Sequence, residues 1–350
     1  MHPGPAGEAP APVPLGVWLE TGAGDGRVVA WLPDLSGVAG LGRTASRAET
    51  TALTATARVR AWLEARGDDA GLPPLGRVEV AGEVSAEPHP DGSVRRATLP
   101  SDRRALGRGA VEAAIRRLEW LREDLLAVAT RLEAPTAAGA PPAPTGTTRE
   151  TTAEDGVRRL AVALDRLGRL GDADDGTETT DERGETRTLA KVVRLSLQQG
   201  FADLWALELR LARADGTADR VDVRLDRRPD GPAMSALLRS VGWDARAARV
   251  DALDEAIRGT PEFAAAWDGD RLVGTARSLT DGSLYAHIAT VVVDPRYQGL
   301  GVGERLMHAL VDGRDGVRFG LSAAPGMAEW YARLGFEPDE RAMVRHRRRP

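Results

Sequence analysis

Apolar positions recur along the chain with two different periods, and the change of period divides it into three segments. Between residues 100 and 213 the steps are three and four. One set is Val111, Ile115, Leu118, Leu121, Leu125, Val128 and Leu132. A second is Val157, Leu160, Leu164 and Leu167, and a third is Leu189, Val192, Val193, Leu197, Phe201, Leu204 and Trp205. Such spacing places each set on one stripe of an α-helix. Three stripes predict an up-and-down helical bundle. The Pro/Ala/Thr run EAPTAAGAPPAPTGTTRE (133–150) reads as a linker, and GDADDGTETTDERGET (171–186) as an acidic, turn-rich loop.

On either side of this block the apolar runs are short and bounded by turn residues. In 14–85, LGVWLE, GRVVAWLP and GVAGLG read as strands. Thr44 or Ser46 can cap the helix that follows, with Glu49 three residues after Ser46 as in a capping box, and the helix runs to about Ala65. GRVEVAG (76–82) supplies one more strand, which makes a small β-β-β-α unit. In 220–350 the strand VDVRLD precedes two helices, GPAMSALLRSVG (231–242) and DARAARVDALDEAIRGT (244–260). EFAAAWDGDRLVGTARSL then gives a hairpin turning at Asp268-Gly269-Asp270. LYAHIATVVVD (284–294) is a strand buried on both faces, a helix occupies about 300–313, and GVRFGLS is a further strand. PGMAEWYARLG is a short helix with its proline early, and FEPDERAMVRHRR closes the sheet. The fold class expected is multidomain α+β: a disordered lead (1–13), a small α+β domain (14–85), a helical bundle (100–213) and a C-terminal α/β sheet domain (220–350).

Bulk composition narrows the chemistry. At 350 residues the chain exceeds what one core usually supports. A net charge of −5 argues against a nucleic-acid partner. The absence of cysteine excludes disulfides, thiolate catalysis and thiolate zinc sites. No apolar run approaches the roughly 20 residues of a membrane span, and the first residues lack the pattern of a secretory signal. The expected location is the cytoplasm.

The stretch VVVDPRYQGLGVGERLMHAL (291–310) carries the clearest chemical signal. A strand meets a helix through Gly299, Gly301 and Gly303. The first turn of a helix has four amides without internal partners, and the macrodipole adds partial positive charge there. Glycine lets a ligand approach this cradle, which suits phosphate. Taken alone, the turn fits an ordinary loop or a dinucleotide fold. The dinucleotide pattern, however, wants Gly-x-Gly-x-x-Gly, and 299–303 gives Gly-x-Gly-x-Gly.

With its surroundings, the stretch resembles the GNAT superfamily of N-acetyltransferases. The family signature (Gln/Arg)-x-x-Gly-x-(Gly/Ala) stands here as Gln298, Gly301 and Gly303, after the V-x-P step Val293–Pro295 and before the closing segment YARLGFEP (331–338). The resemblance implies acetyl-CoA as co-substrate and an amine as acceptor, with no metal. It implies that the amides of Gln298, Gly299, Leu300, Gly301, Val302 and Gly303 hold the pyrophosphate. The backbone of Val291 and Val293 would hold the pantetheine arm, along a bulged strand that splays from its neighbour. An amide near Val292 or Val293 would face the oxyanion. Tyr331 matches the family's thiolate-protonating tyrosine, and is also a candidate for plain packing. His287 is a possible general base or a strand histidine that faces solvent. Asp281 and Glu262 could instead serve a water relay, Trp243 and Trp267 could line an amine pocket, and His308 reads as structural.

Two weaker likenesses concern the other segments. Residues 14–85, with the turn PDLSGV and the step Gly42–Thr44, resemble the HicB-like fold. The bundle, especially TLAKVVRLSLQQGFADLWALELRL, resembles the DinB-like bundles, many of which bind metal through three histidines. Here the five histidines are His2, His89, His287, His308 and His346, so none lies in the bundle. These segments read as packing units or as surfaces for a possible protein partner. The function expected is transfer of an acetyl group to an amine; the alternative is an acyl-CoA-sensing regulatory protein without turnover.

Overall fold

A computed structural model describes residues 13–22, 26–33, 35, 37–68, 75–88, 94–133, 152–170, 178–180 and 186–343. Most of the lead, the linker and the acidic loop lies outside the described residues, as do residues 344–350.

Strands β1 (Val13–Thr21), β2 (Val28–Trp31) and β3 (Ala39–Gly42) form an antiparallel meander. Helix α1 (Ala45–Glu64) crosses the sheet, and β4 (Leu75–Ser85) returns parallel to β1, giving the order β3-β2-β1-β4. Thr44 caps α1 with its hydroxyl, which accepts from the amide of Arg47 at 3.2 Å. Ser46 already lies inside the helix, so the Ser46–Glu49 box is not the cap. A Cβ on Gly40 would meet the carbonyl of Ala48 at 2.1 Å, so the glycines of GVAGLG let α1 lie directly on the strand.

A short ribbon, β5 (Glu87–Pro88) with β6 (Val94–Arg95), leads to the bundle. This consists of α2 (Arg108–Glu133), α3 (Ala153–Leu170) and α4 (Leu189–Ala214), with the ribbon β7 (Glu178–Thr180) and β8 (Thr186–Thr188) before α4. The three sequence stripes meet in its core, where Leu118, Leu121, Leu125, Leu160, Leu167, Leu197, Phe201, Leu204 and Leu207 are buried. Ala52, Val59 and Leu63 of α1 belong to the same apolar cluster. Burying each large side chain is worth about 1.5–3 kcal/mol, so this shared core ties α1 to the bundle.

After α5 (Thr217–Arg220) come β9 (Val221–Arg224), α6 (Gly231–Ser240), α7 (Asp244–Ala247) and α8 (Val250–Arg258). The chain continues through β10 (Glu262–Asp268), β11 (Arg271–Thr280), β12 (Tyr285–Val293), α9 (Val302–Val311), β13 (Arg318–Leu321) and α10 (Ala328–Ala332). The sheet order is β13-β12-β11-β10-β9, antiparallel except for the parallel pair β12–β13. Leu306, Met307 and Leu310 of α9 cover one face over Ala264, Ala266, Val273 and Ile288. Met234, Leu237, Leu238 and Ile257 of α6 and α8 cover the other over Phe263, Ala265, Trp267 and Val292.

Three local readings change. The helix expected over 244–260 is two helices, because Arg249 leaves helical geometry at ψ 58°. Pro325 precedes its helix instead of opening it, since Gly326 takes φ +74° and delays the start to Ala328. Residues 336–343, expected to close the sheet, carry no strand.

Candidate active site

The site begins where two parallel strands part. Pairing of β12 with β13 ends at Ile288↔Leu321, whereas β12 runs on to Val293. Both strands continue in the same direction, so a cleft opens between Ala289–Val293 and the chain that leaves β13. The opening coincides with a bulge. Arg277 pairs with Ala289 and Thr275 with Val292, so Thr290 and Val291 stand opposite a single residue of β11. Thr290 takes φ 53°, the one positive φ at a non-glycine among the described residues, and such a conformation is strained for a β-branched side chain. Arg277 holds it there: its Nε donates to Thr290 Oγ1 at 3.0 Å and its Nη1 to Thr260 Oγ1 at 3.2 Å. Neither Thr290 nor Arg277 was singled out from the sequence. The strand around Arg277 reads RLVGTARSLT, with Thr275, Ser278 and Thr280 beside it, so nothing local marks either residue.

Past the bulge the chain is tied down before it reaches the glycines. Asp294 is 2% exposed. Its carboxylate accepts from the amide of Arg296 at 3.0 Å and from Arg271 at 2.7 Å. Burial pushes this carboxyl above its ordinary range against the pull of Arg271. The hydroxyl of Tyr297 donates to Asp268 at 2.7 Å, and burial together with that carboxylate pushes the phenol up to about 12. Gln298 Nε2 donates to the carbonyl of Val293 at 2.9 Å, which folds the turn back onto the strand.

The glycines then do what only glycine does cheaply. Gly299 and Gly301 both take φ +77°. Gly301 is the N-cap of α9 and no side chain caps the helix, so the amides of its first turn have no side-chain acceptor. At Gly303 a Cβ would meet the Trp330 ring at 3.2 Å. The bundle reaches this turn too. Arg213 Nη2 of α4 donates to the carbonyl of Gly299 at 3.2 Å, and Leu209 lies against the same glycine. That contact uses a carbonyl and leaves the amides free for an anion.

The remaining candidates sit on separate elements of the same domain. Val292, Leu300 and Val302 turn their side chains into the core at 4%, 8% and 1% exposure, so only their backbone is available to a ligand. Tyr331 sits in α10 between Trp330 and Phe336, at ring-centroid distances of 4.7 and 6.1 Å. Its hydroxyl has no hydrogen bond among the described residues, and burial pushes the phenol up. His287 is exposed on β12, opposite Leu279 on one side and Gly320 on the other. No hydrogen bond joins it to Tyr331. Asp281 accepts from the amides of Ser283, Leu284 and Tyr285, which holds its carboxyl below the ordinary range and makes it a turn residue. Glu262 pairs with Arg314 at 2.6 Å. Trp267 is packed in the core with Arg227 over its ring at 3.9 Å, and Arg246 lies 4.8 Å from the Trp243 ring, so both aromatic faces already hold a cation. His308 contacts Asp312 at 3.0 Å. Among the described residues no cluster of histidine or acidic side chains is arranged to hold a metal ion, and no helix is long and apolar enough to cross a membrane.

The splayed parallel pair, the bulged strand and the glycine turn together form one open cleft that ends at a helix N-terminus. The family model described as an acetyltransferase (GNAT) domain matches residues 240–347, and the C-terminal part of the chain is a GNAT acetyltransferase domain. Over 72 residues the chain is 40% identical to a GCN5-related N-acetyltransferase 2, chloroplastic, of Arabidopsis thaliana, covering 20% of this chain and 28% of that protein. It is 42% identical over 72 residues to a protein of Glycine max named histone acetyltransferase, at 20% and 31% coverage. An uncharacterized ycf52-like N-acetyltransferase of Prochlorococcus marinus is 34% identical over 110 residues, 29% of this chain and 60% of its own length. The chain thus spans less than two thirds of each of these relatives. Among solved structures, a GNAT-family acetyltransferase from Streptococcus pneumoniae is 23% identical with a TM-score of 0.32, covering 37% of this chain and 99% of that one.

Proposed function

We propose that the C-terminal domain transfers the acetyl group of acetyl-CoA to a primary amine by direct attack. The observation that carries this reading is the uncapped first turn of α9, entered through two glycines at φ +77° next to the end of β12 that β13 leaves unpaired. Acetyl-CoA, when bound, supplies the activated acyl thioester.

In this reading the amides from Gln298 to Gly303 hold the diphosphate, aided by the helix dipole. The free edge of β12 at Val291 and Val293 holds the pantetheine arm as an added strand would be held. Since Gln298 already bonds the Val293 carbonyl, that arm is left with the remaining donors and acceptors of the edge. The backbone near Val292 presents an N–H to the oxygen on which charge develops. Tyr331 keeps its proton because of burial and can give it to the departing thiolate. His287, exposed on the same strand, can take a proton from the incoming ammonium.

Titration of the full chain with coenzyme A, followed by thiol release with acetyl-CoA and a panel of amines, tests the proposal. Binding and turnover are the expected results. Undiminished coenzyme A binding by Gly301→Trp would overturn the site assignment.

A further inference from the structure

Helix α1 serves two units at once. Ala48, Ala52, Ala55, Val59 and Leu63 face the N-terminal core. The opposite side lies on the C-terminal domain. There Thr50 Oγ1 donates to the carbonyl of Pro325 at 3.3 Å, and Arg47 Nη1 donates to Met327 Sδ. Farther along, the Leu53 carbonyl lies where a Cβ on Gly242 would come within 3.0 Å, and Arg60 makes two bonds to Asp244 at 2.5 and 2.9 Å. From Arg47 to Arg60 the helix covers about 20 Å at 1.5 Å per residue. It therefore bridges the segment beyond β13 and the turn between α6 and α7.

The first of these contacts is on the chain that leaves β13 and so borders the cleft. Residues 322–327 leave β13 at the end where it parts from β12. Gly326, at φ +74°, approaches so closely that a Cβ there would lie 2.5 Å from Arg47 Cβ. The arginine is thus fixed in place by backbone and is half-buried. Yet among the described residues its guanidinium has only a thioether as hydrogen-bond partner, and no carboxylate of those residues lies within ion-pair distance. Farther along the same helix the docked arginines are matched, Arg58 by Glu208 and Arg60 by Asp244. A thioether is a weak acceptor for a fork of five donors that fits an oxyanion.

We infer that Arg47, supplied by the N-terminal unit, selects the acceptor: the amine taken by this enzyme carries an oxyanionic group, which pairs with Arg47 beside the cleft. The inference rests on the acetyltransferase reading and adds the substrate class to it.

The test compares three probe amines on the full chain with acetyl-CoA: 5-aminopentanoate, 4-aminobutylphosphonate and the neutral 5-aminopentanamide. A bidentate charged contact predicts that kcat/KM for at least one anionic amine exceeds that for the amide by about tenfold or more. The better of the two identifies the oxyanion. In Arg47→Met the ratio should fall to about one, with the loss in KM; Arg47→Lys, which keeps the charge without the fork, should retain part of it and stands in if the methionine variant is unstable. Equal use of all three amines by the wild type, a preference that survives Arg47→Met, or coenzyme A binding without turnover of any probe overturns the inference. Failure of the wild type to bind coenzyme A overturns the acetyltransferase reading itself, so the two failures are distinguishable.

Discussion

Lys191 is the single lysine among 47 basic side chains, and it is 5% exposed. Its Nζ donates to Thr98 Oγ1 at 2.7 Å and lies 3.4 Å from Glu87, while burial lowers its pKa. Acetic anhydride at pH 8 should therefore leave Lys191 unmodified in the native protein and modify it once urea has unfolded the chain; peptide mass mapping reads both. Labelling at equal rates in the two states would contradict the packing. Tyr331 has the opposite shift, a phenol pushed above its ordinary range by burial. The raised value keeps the acid form present at pH values where an ordinary tyrosine ionises, and the stability it contributes is full below the unfolded pKa and is lost as pH rises from there through the folded pKa. Tyr331→Phe should lower kcat by about 100-fold, and the wild-type kcat should show no alkaline limb from this group in the range where an ordinary tyrosine ionises; a limb there that disappears in the variant would show that Tyr331 titrates earlier. At this scale the sequence was informative where glycine was required. Gly299 and Gly301, both at φ +77°, lie in the stretch that stood out as an anion cradle. Thr290 and Arg277 were not legible, because a bulge is set by the pairing of two strands, and pairing leaves no local mark in either.

Elements with a regular period were legible to within a few residues: α1, the three bundle helices, the β10–β11 hairpin, β12 and α9 follow from their apolar spacing. The misses have separate causes. FEPDERAMV has few apolar positions to make a strand worth burying, and 336–343 forms none. DARAARVDALDEAIRGT has a helical pattern throughout, but Asp244 is drawn to α1 and β4, where its carboxylate accepts from Arg60 and from the amide of Leu75 at 2.6 Å. No periodicity records such a claim from 184 residues away. The arrangement predicts an asymmetry. Asp244→Ala leaves both the guanidinium and a buried amide unmatched, and should cost about 3 kcal/mol. Arg60→Met leaves the carboxylate with its amide partner and should cost less. Urea unfolding followed by Trp fluorescence measures both, and an Arg60 variant that is the less stable of the two would refute this account of the bridge.

At the scale of the molecule, the change of period from two to three-and-four marked where element types change, but could not say which faces meet. Helix α4 shows why. Leu204, Leu207 and Leu211 belong to the bundle core, while Leu209 and Ala212 on another side pack into the α9 core of the C-terminal domain. In a one-dimensional reading the second stripe looks like an ordinary solvated flank with scattered apolar residues. Its consequence is mechanical: the helix that completes the bundle also touches Gly299, the first glycine of the proposed diphosphate turn, through Leu209 and Arg213. Loss of bundle packing should therefore be felt by the cofactor turn. Leu207→Ala removes a fully buried side chain of the bundle core, and should cost about 2–5 kcal/mol. If α4 couples the two cores, the wild type and the variant should each melt in one transition, and coenzyme A should raise that whole transition by mass action. Scanning calorimetry with and without coenzyme A decides it. Two separate transitions, of which Leu207→Ala lowers one and coenzyme A raises only the other, would mean that the bundle and the transferase domain share a helix but not their stability.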